Sequence, residues 1–538
     1  MKLLILLFIP LFGLVQPPIE WEKTYGTVGN EFSVEVQQTS DGGYIVGANV
    51  QNDLLDSFDD DMLLIKTDAS GIEEWSQIYE SGSDGDILSS VKQTIDGGYI
   101  IAGSKLTTTA LRHIFIIKTD ASGVEEWSQS YGETNTSRAL DIIQTIDGGY
   151  VFLASGSSGP GSPSDIYLIK IDGSGVEEWS QVYGGLGSQN PYAIKQATDG
   201  GFIIVGQTQS SLGSDGDVYL IKTNASGVEQ WSQTYGGVEN DAGRSLDLTI
   251  DGGYIIGGYT KSFGPDFNAF MIKTDASGVE EWTQIYGGDT LSLGSSVIQV
   301  SDGGYLFGYN TFLGGVSSWD FNILKTDSSG TEEWSHIFSG TGHPAEDEQV
   351  NSIQETSDGG FVVCGFTESV DLFGDDDVYL IKIANCNTES IDIHTACNNY
   401  TWIDGVTYTS SNNTAQWIIE NSLGCDSIIT LDLTIDPLLF GGITDCIDGI
   451  HIPTGFSPNN DQNNDTYNII VGQNVQAILF SLYDRWGNTI LTTTDKKFEW
   501  DGTLNGVPLN SGVYPYILEA VYVNGETEIL SGNVKLIK

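Results

Sequence analysis

Positive charge is scarce in this chain: its 538 residues hold 21 Lys plus Arg against 73 Asp plus Glu, a formal net charge of −52. Such a field repels phosphate backbones and anionic lipid, which excludes nucleic acid as a partner, and it favours solubility and divalent cations. Proline is sparse (13) beside 67 glycines, and no stretch beyond the N-terminus carries the apolar period of an amphipathic helix. The five histidines (His113, His336, His343, His394, His451) are scattered, and only His336 and His343, around one loop, approach a metal-spaced pair. Arg112, Arg138 and Arg244 are the only arginines before Arg485, too few for an evident catalytic cluster, although Arg138 and Arg244 sit near strand starts where they could face a channel. Long apolar runs are absent after Val15, so no transmembrane segment is expected. Met1 to Val15, apolar behind Lys2, reads as a secretory signal peptide (residues 1–16) with no cysteine to carry a lipid. Only five cysteines occur. Cys364, inside Phe361-Val362-Val363-Cys364, reads as a small buried hydrophobe. Cys386, Cys397, Cys425 and Cys446 cluster in an exported context that permits disulfides; Cys397–Cys425 is the favoured pair, with Cys386–Cys446 a second.

What the chain has in abundance is a beat. Trp21, Trp75, Trp127, Trp179, Trp231, Trp282 and Trp334 fall at near-equal intervals, and Asp-Gly-Gly triplets start at Asp41, Asp96, Asp147, Asp199, Asp251, Asp302 and Asp358. A repeat of about fifty residues with strand-like content predicts a β-propeller, one blade per repeat. Each repeat holds four strand signals. The first ends at Asp-Gly-Gly, whose glycines supply the positive φ of a tight hairpin. The second follows, the third is apolar on both faces, as in Val218-Tyr219-Leu220-Ile221, and the fourth carries the tryptophan. An aromatic four residues after each tryptophan (Tyr25, Tyr79, Tyr131, Tyr183, Tyr235, Tyr286, Phe338) lies on the same strand face and is expected to pack between blades. A lysine ends each third strand (Lys66, Lys118, Lys170, Lys222, Lys273, Lys325, Lys382), and six face a Glu pair, or Glu229-Gln230, on the next strand. Cross-strand pairing at about 0.2–1 kcal/mol each accounts for them.

The phase of the beat matters as much as its count. The last Asp-Gly-Gly has no tryptophan after it, and the first tryptophan precedes the first Asp-Gly-Gly. The segment Ile19 to Tyr25 is therefore expected to complete a seventh blade opened by residues 350–383, closing the ring over residues 17–384. The Asp-Gly-Gly and Asp-Ala-Ser-Gly turns share one face and barely vary. The remaining loops share the other face and vary in length and chemistry, which is where binding function concentrates. The pattern resembles quinoprotein-type and kelch-type propeller repeats at the level of fold, with one residue fewer between Asp and Trp, and approximates without matching the Asp-box of sialidases.

Residues 385–437 read as a small β-module with Trp402 between two cysteines, similar to Ig-like surface repeats of secreted Bacteroidetes proteins. Residues 447–538 hold Pro453, Phe456, Pro458, Asn459, Asp461 and Asp465, then Arg485-Trp486-Gly487, Trp500-Asp501-Gly502, and Gly512 with Tyr514. In this order and spacing they resemble the gliding-motility-associated C-terminal domain, the type B sorting signal of the type IX secretion system. The departures are Asn460, where that family often has Gly, and Pro515 in the final motif. The resemblance implies a β-sandwich sorting domain, passage across both membranes, and the secretion machinery as partner. Read as residues alone, Arg485 and Trp486 suit a cation–π pair. Asp461, Asn463 and Asp465 are spaced like the first ligands of a calcium loop, yet Gly472 stands where an EF-hand needs Glu, so a calcium-stiffened turn and a plain Asx-rich loop stay open. Calcium is thus the one cofactor in view. The expected fold is all-β: a seven-bladed propeller, an Ig-like module and a β-sandwich. The expected function is a secreted or surface binding or adhesion protein for extracellular glycan or a surface protein. The alternatives are a polysaccharide-active hydrolase or lyase and a structural spacer.

Overall fold

The computed structural model describes residues 16–26, 29–51, 60–79, 85–106, 111–132, 137–157, 162–209, 215–288, 290–313, 318–338, 347–368, 376–385, 389–396, 399–420, 426–435, 450–459, 465–472 and 475–537. Two compact units emerge, Met1–Thr388 with Glu420–Asp426, and Glu389–Ile419 with Ser427–Lys538. Residues 1–15 of the signal segment, His343, the four clustered cysteines, Asp461 and Asn463 lie outside the described residues. No helix of the described residues is long and apolar enough to cross a membrane.

The first unit is a β-propeller. Among the described residues it holds seven four-stranded antiparallel sheets, and their first strands pack on one another in succession, the last against the first. Blade 1 is Asn30–Gln38, Tyr44–Gln51, Asp60–Thr67 and Glu73–Tyr79, and the next five follow the same plan. The seventh differs. Its first three strands are Glu348–Glu355, Phe361–Glu368 and Asp376–Ile383, and its fourth is Ile19–Tyr25 from the other end of the unit. Trp21 stands opposite Lys382 and Tyr25 opposite Val378, the register that Trp75 and Tyr79 take against Lys66 and Met62. No blade is left a strand short, so no third strand presents a bare edge.

Burial follows strand position. Second and third strands are almost wholly buried, as in Tyr99–Leu106, whereas fourth strands alternate or are exposed. A strand covered on both faces reads as an unbroken apolar run. The cores are shared between neighbours: Ile100, Ala102, Ile114 and Ile116 of one blade join Ile142, Tyr150 and Phe152 of the next. Cys364 is fully buried there, and burial pushes its thiol up to about 12, so it stays protonated and unreactive.

In the second unit, residues 389–435 form a three-stranded sheet, Glu389–Ala396 beside Asp426–Ile435 beside Gln416–Glu420, with a short hairpin of Tyr400–Thr401 and Thr407–Tyr408. The first two strands run parallel. Trp402, Leu431 and Leu433 make its core, and the Trp402 indole donates to Asp392 at 2.8 Å. The last domain is a five-stranded sheet in the order Gly455–Phe456, Thr527–Leu536, Gly512–Tyr522, Val475–Tyr483, Thr489–Thr493, flanked by two-stranded pairs.

Candidate functional site

The repeated face is built by a stitch. Each lysine at the end of a third strand is buried, 2–5% exposed, and its ammonium reaches the aspartate of its own Asp-Gly-Gly turn at 2.8–3.2 Å. Most also meet the second acidic residue of the next strand, as Lys118 meets Glu126 at 2.9 Å. The cross-strand glutamate is thus only half of each lysine's partnership; the turn aspartate is the half that strand pairing does not reveal. Lys222 takes the Gln230 amide oxygen in place of a glutamate, and Lys382 takes Glu20 of the N-terminal strand at 3.6 Å. Burial at the turn pushes the Asp41 carboxyl up, but hydrogen bonds from Thr39, Lys66 and the Gly43 amide outweigh it and hold it at about 2.

The two glycines of the turn do different work. Gly42 takes φ +88°, whereas Gly43 has an ordinary φ and lies so close to the neighbouring strand that a Cβ would meet the Thr67 carbonyl at 2.1 Å and the Lys66 ammonium at 2.7 Å. Positive φ is needed at the first alone, and room at the second.

The tryptophans join blades. Trp75 lies against Gly123 of the next blade, where a Cβ would meet its ring at 2.8 Å, and its ring packs edge-on to Tyr99 at 5.8 Å. The Tyr79 hydroxyl donates to the Gly123 carbonyl at 2.6 Å. The same clamp recurs from Trp21 and Tyr25 to Trp282 and Tyr286. Phe338 has no hydroxyl, and Trp334 meets Phe361 by ring contact at 6.0 Å.

Side chains on the innermost strands link neighbouring blades. The Glu35 carboxylate accepts from the Val91 amide (2.9 Å) and the Ser90 hydroxyl, and Asp141 accepts from the Ile194 amide at 3.0 Å. Lys92 sits between Glu35 and Asp141; burial lowers its pKa, and these carboxylates more than restore it. Here side chains of one blade satisfy backbone amides of another, at Val91 and Ile194. Arg244 is stacked over Tyr192 at 4.2 Å, and Arg138 lines a cavity with Arg112 instead of joining it. His336 is held by Gln16 and the Pro17 carbonyl, and burial lowers its pKa. No group of three or more His, Cys, Asp or Glu side chains among the described residues is arranged to hold a metal.

The other face is not repeated. At the start of the first strands stand Glu31, Asp86, Ser137, Gln189, Asp241, Ser292 and Glu348, all buried: acidic in four blades, serine in two and an amide in one. Between the fourth and fifth blades lies a cavity of about 300 Å³ lined by Tyr235, Asp241, Thr260, Phe263, Glu280 and Thr283 among others. Phe263 is 58% exposed. Asp241 is anchored by the Gly237 amide (2.9 Å) and the Ser262 hydroxyl (2.6 Å); burial and the Asp241 charge raise the pKa of Asp217. An aromatic edge beside fixed carboxylates and hydroxyls suits a polyhydroxylated ligand.

In the C-terminal domain the motif residues divide by role. Phe456, Trp500 and Tyr514 are interior, with Trp500 5.2 Å from Phe456 and 5.9 Å from Tyr514, ring centre to ring centre. The Pro453 carbonyl accepts the Tyr467 hydroxyl at 2.9 Å, Pro458 packs near Gly502, and Gly512 opens the long strand opposite Leu536. Asp501 closes the turn before Thr503, with Gly502 at φ +78°. Of the three candidate calcium ligands, Asp465 alone is among the described residues, as is the motif residue Asn459. The turn at Asp484 accepts the Trp486 and Asn488 amides, with Gly487 at φ +84°. Trp486 is thereby held out at 82% exposure beside exposed Arg485, and no cation–π contact joins them among the described residues.

Residues 450–536 match the CHU_C Type IX secretion signal domain. That secretion signal marks the chain as exported, to the cell surface or beyond it, and as a client of the type IX secretion machinery. The rest is less closely matched. The Regulatory protein FlaEY of Caulobacter vibrioides is 26% identical over 205 residues, 33% of this chain and 21% of that protein, so the chain spans about a fifth of its relative's length. Among solved structures, the β-propeller domain of the Trilobed protease from Pyrococcus furiosus is similar over 66% of this chain and 94% of its own, at 10% identity and a TM-score of 0.40. YCF48 from Cyanidioschyzon merolae covers 67% and 98%, at 10% and 0.39. The NanB sialidase of Streptococcus pneumoniae covers 68% and 70%, at 11% and 0.38.

Proposed function

We propose that this is a binding or adhesion protein displayed on or released from the cell, and that its C-terminal domain is of the gliding-motility-associated, type B class of Bacteroidetes. The propeller serves as a rigid scaffold whose non-repeating face takes an extracellular glycan or a glycan-bearing surface partner. The observation that carries this reading is the cavity holding Phe263, Tyr235, Asp241 and Glu280 between two blades, whereas the inner-strand carboxylates Glu35 and Asp141 are engaged by backbone amides. A glycan array with the full chain should give a positive class that Phe263→Ala abolishes; a blank array together with a blank cell-adhesion assay would sink the reading. For export, a reporter fused to residues 447–538 should leave a cell that has type IX machinery. Trp486→Ala, on an exposed turn, should reduce that export without unfolding the domain.

A further inference from the structure

We propose that Arg112 and Arg138 form a binding site for the oxyanion of an acidic sugar carried on a mostly neutral glycan. This rests on the reading of the non-repeating face as a glycan-binding surface, and it names a second position there. The site is a cavity of about 210 Å³ lined by the two arginines with Ser137, Ser155, Ser157 and Ser164, and no carboxylate lines it among the described residues. The arginines lie on different blades. Arg112 opens the third strand of blade 2, and Arg138 lies on the first strand of blade 3, opposite Ser155.

The chain holds four arginines in all, and 73 carboxylates. Two of those arginines nevertheless share one cavity, and neither forms an ion pair among the described residues. Arg112 is fixed by donating Nη1 to the Gly85 carbonyl at 2.7 Å. Ser137 is 8% exposed, lines the same cavity, and its Oγ is buried without a hydrogen-bond partner. A buried hydroxyl left unmatched is costly unless something completes it. Two planar guanidinium forks and a hydroxyl donor match a carboxylate or a sulfate, which accepts several hydrogen bonds at once. The field of the whole protein is negative, so a densely charged polyanion is repelled while one acidic residue among neutral sugars is admitted.

The test is calorimetric titration of the full chain with a xylan oligosaccharide bearing one glucuronic acid, with the same oligosaccharide after reduction of that carboxyl to an alcohol, and with a monosulfated galactan disaccharide. The uronic or the sulfated sugar should bind at least about tenfold more tightly than the reduced one, and whichever binds identifies the acid group. Arg112→Gln and Arg138→Gln should each weaken that binding about tenfold, with Lys497→Gln on the C-terminal domain as a charge-loss control that changes nothing. Arg138 is exposed, so its substitution reports on binding even if Arg112→Gln disturbs folding, which melting curves will show. Affinity of both the uronic and the sulfated sugar no greater than that of the reduced one, or affinity unchanged in both variants, overturns the site. Acidic sugars that fail while the glycan array stays positive overturn the site and leave the Phe263 reading intact; failure of both removes both.

Discussion

The two faces of the ring are made from the same strands yet obey different rules. On one, seven lysines are buried against seven turn aspartates, with little freedom left to vary: the lysine must reach the turn, the second glycine must make room for it, and the first must take positive φ. On the other, the equivalent positions range from Glu31 and Asp86 to Ser137 and Gln189 without disturbing the strands that carry them. The first face holds the ring together, and that frees the second to differ from blade to blade. Exposed Ile95, Ile146 and Ile250 stand singly at turn tips of the first face and line neither of the two cavities assigned to ligands.

The comparison can be broken most severely at the closing strand. Deleting residues 17–27 removes the fourth strand of the last blade, exposes the edge Asp376–Ile383, and strips Trp21 from Tyr44 and Tyr25 from Gly71. The melting temperature should fall by about 10 °C or more, with aggregation; an unchanged temperature would refute closure as a source of stability. Next comes a single stitch. Lys273→Met leaves Asp251 and Glu281 without their cation, but both are about half exposed and can be resolvated, so the loss should be about 1–2 kcal/mol in denaturant titration. A smaller effect spreads over six of the blades. Asp41 and Asp251 are held at about 2, and Asp96, Asp147, Asp199 and Asp358 are also lowered. A carboxyl lowered on folding contributes stability above its unfolded value and loses it as pH falls through the folded one. Melting temperature should therefore hold from about pH 7 to pH 5 and drop between roughly pH 4 and pH 2. The smallest stability change belongs to the other face: Phe263→Ala should stay within about 0.5 kcal/mol of the parent while removing ligand binding. Val124→Ser, at a turn tip of the repeated face, should leave both unchanged.

Much of this architecture is legible in the residues. The strand, turn and aromatic at fixed offsets are local signals, and Ile19–Tyr25 is strand-like in the same phase as Glu73–Tyr79, which is why the tryptophan count points to its partner. The partners of the lysines were half legible. Glu126 stands eight residues from Lys118 on the next strand, whereas Asp96 is brought to it only when the first hairpin and the third strand end at one level. The Arg485–Trp486–Gly487 segment reads as a motif, but not which of its members point inward. Phe456, Trp500 and Tyr514 meet in one core because strands far apart in the chain bring them together, whereas Arg485 and Trp486 are presented outward.

By itself, then, the sequence determined the period, the strand order within a blade, the end at which variation collects and the secretion signal, because each depends on hydrogen bonding and hydrophobicity over a few neighbouring residues. The tertiary structure decided the meeting of Arg112 and Arg138 across two blades, the bonds of Glu35 and Asp141 to amides of other blades, and the cavity beside Phe263. Those depend on where rigid sheets set side chains in space, and a distance between residues of different blades is fixed by packing and not by separation along the chain.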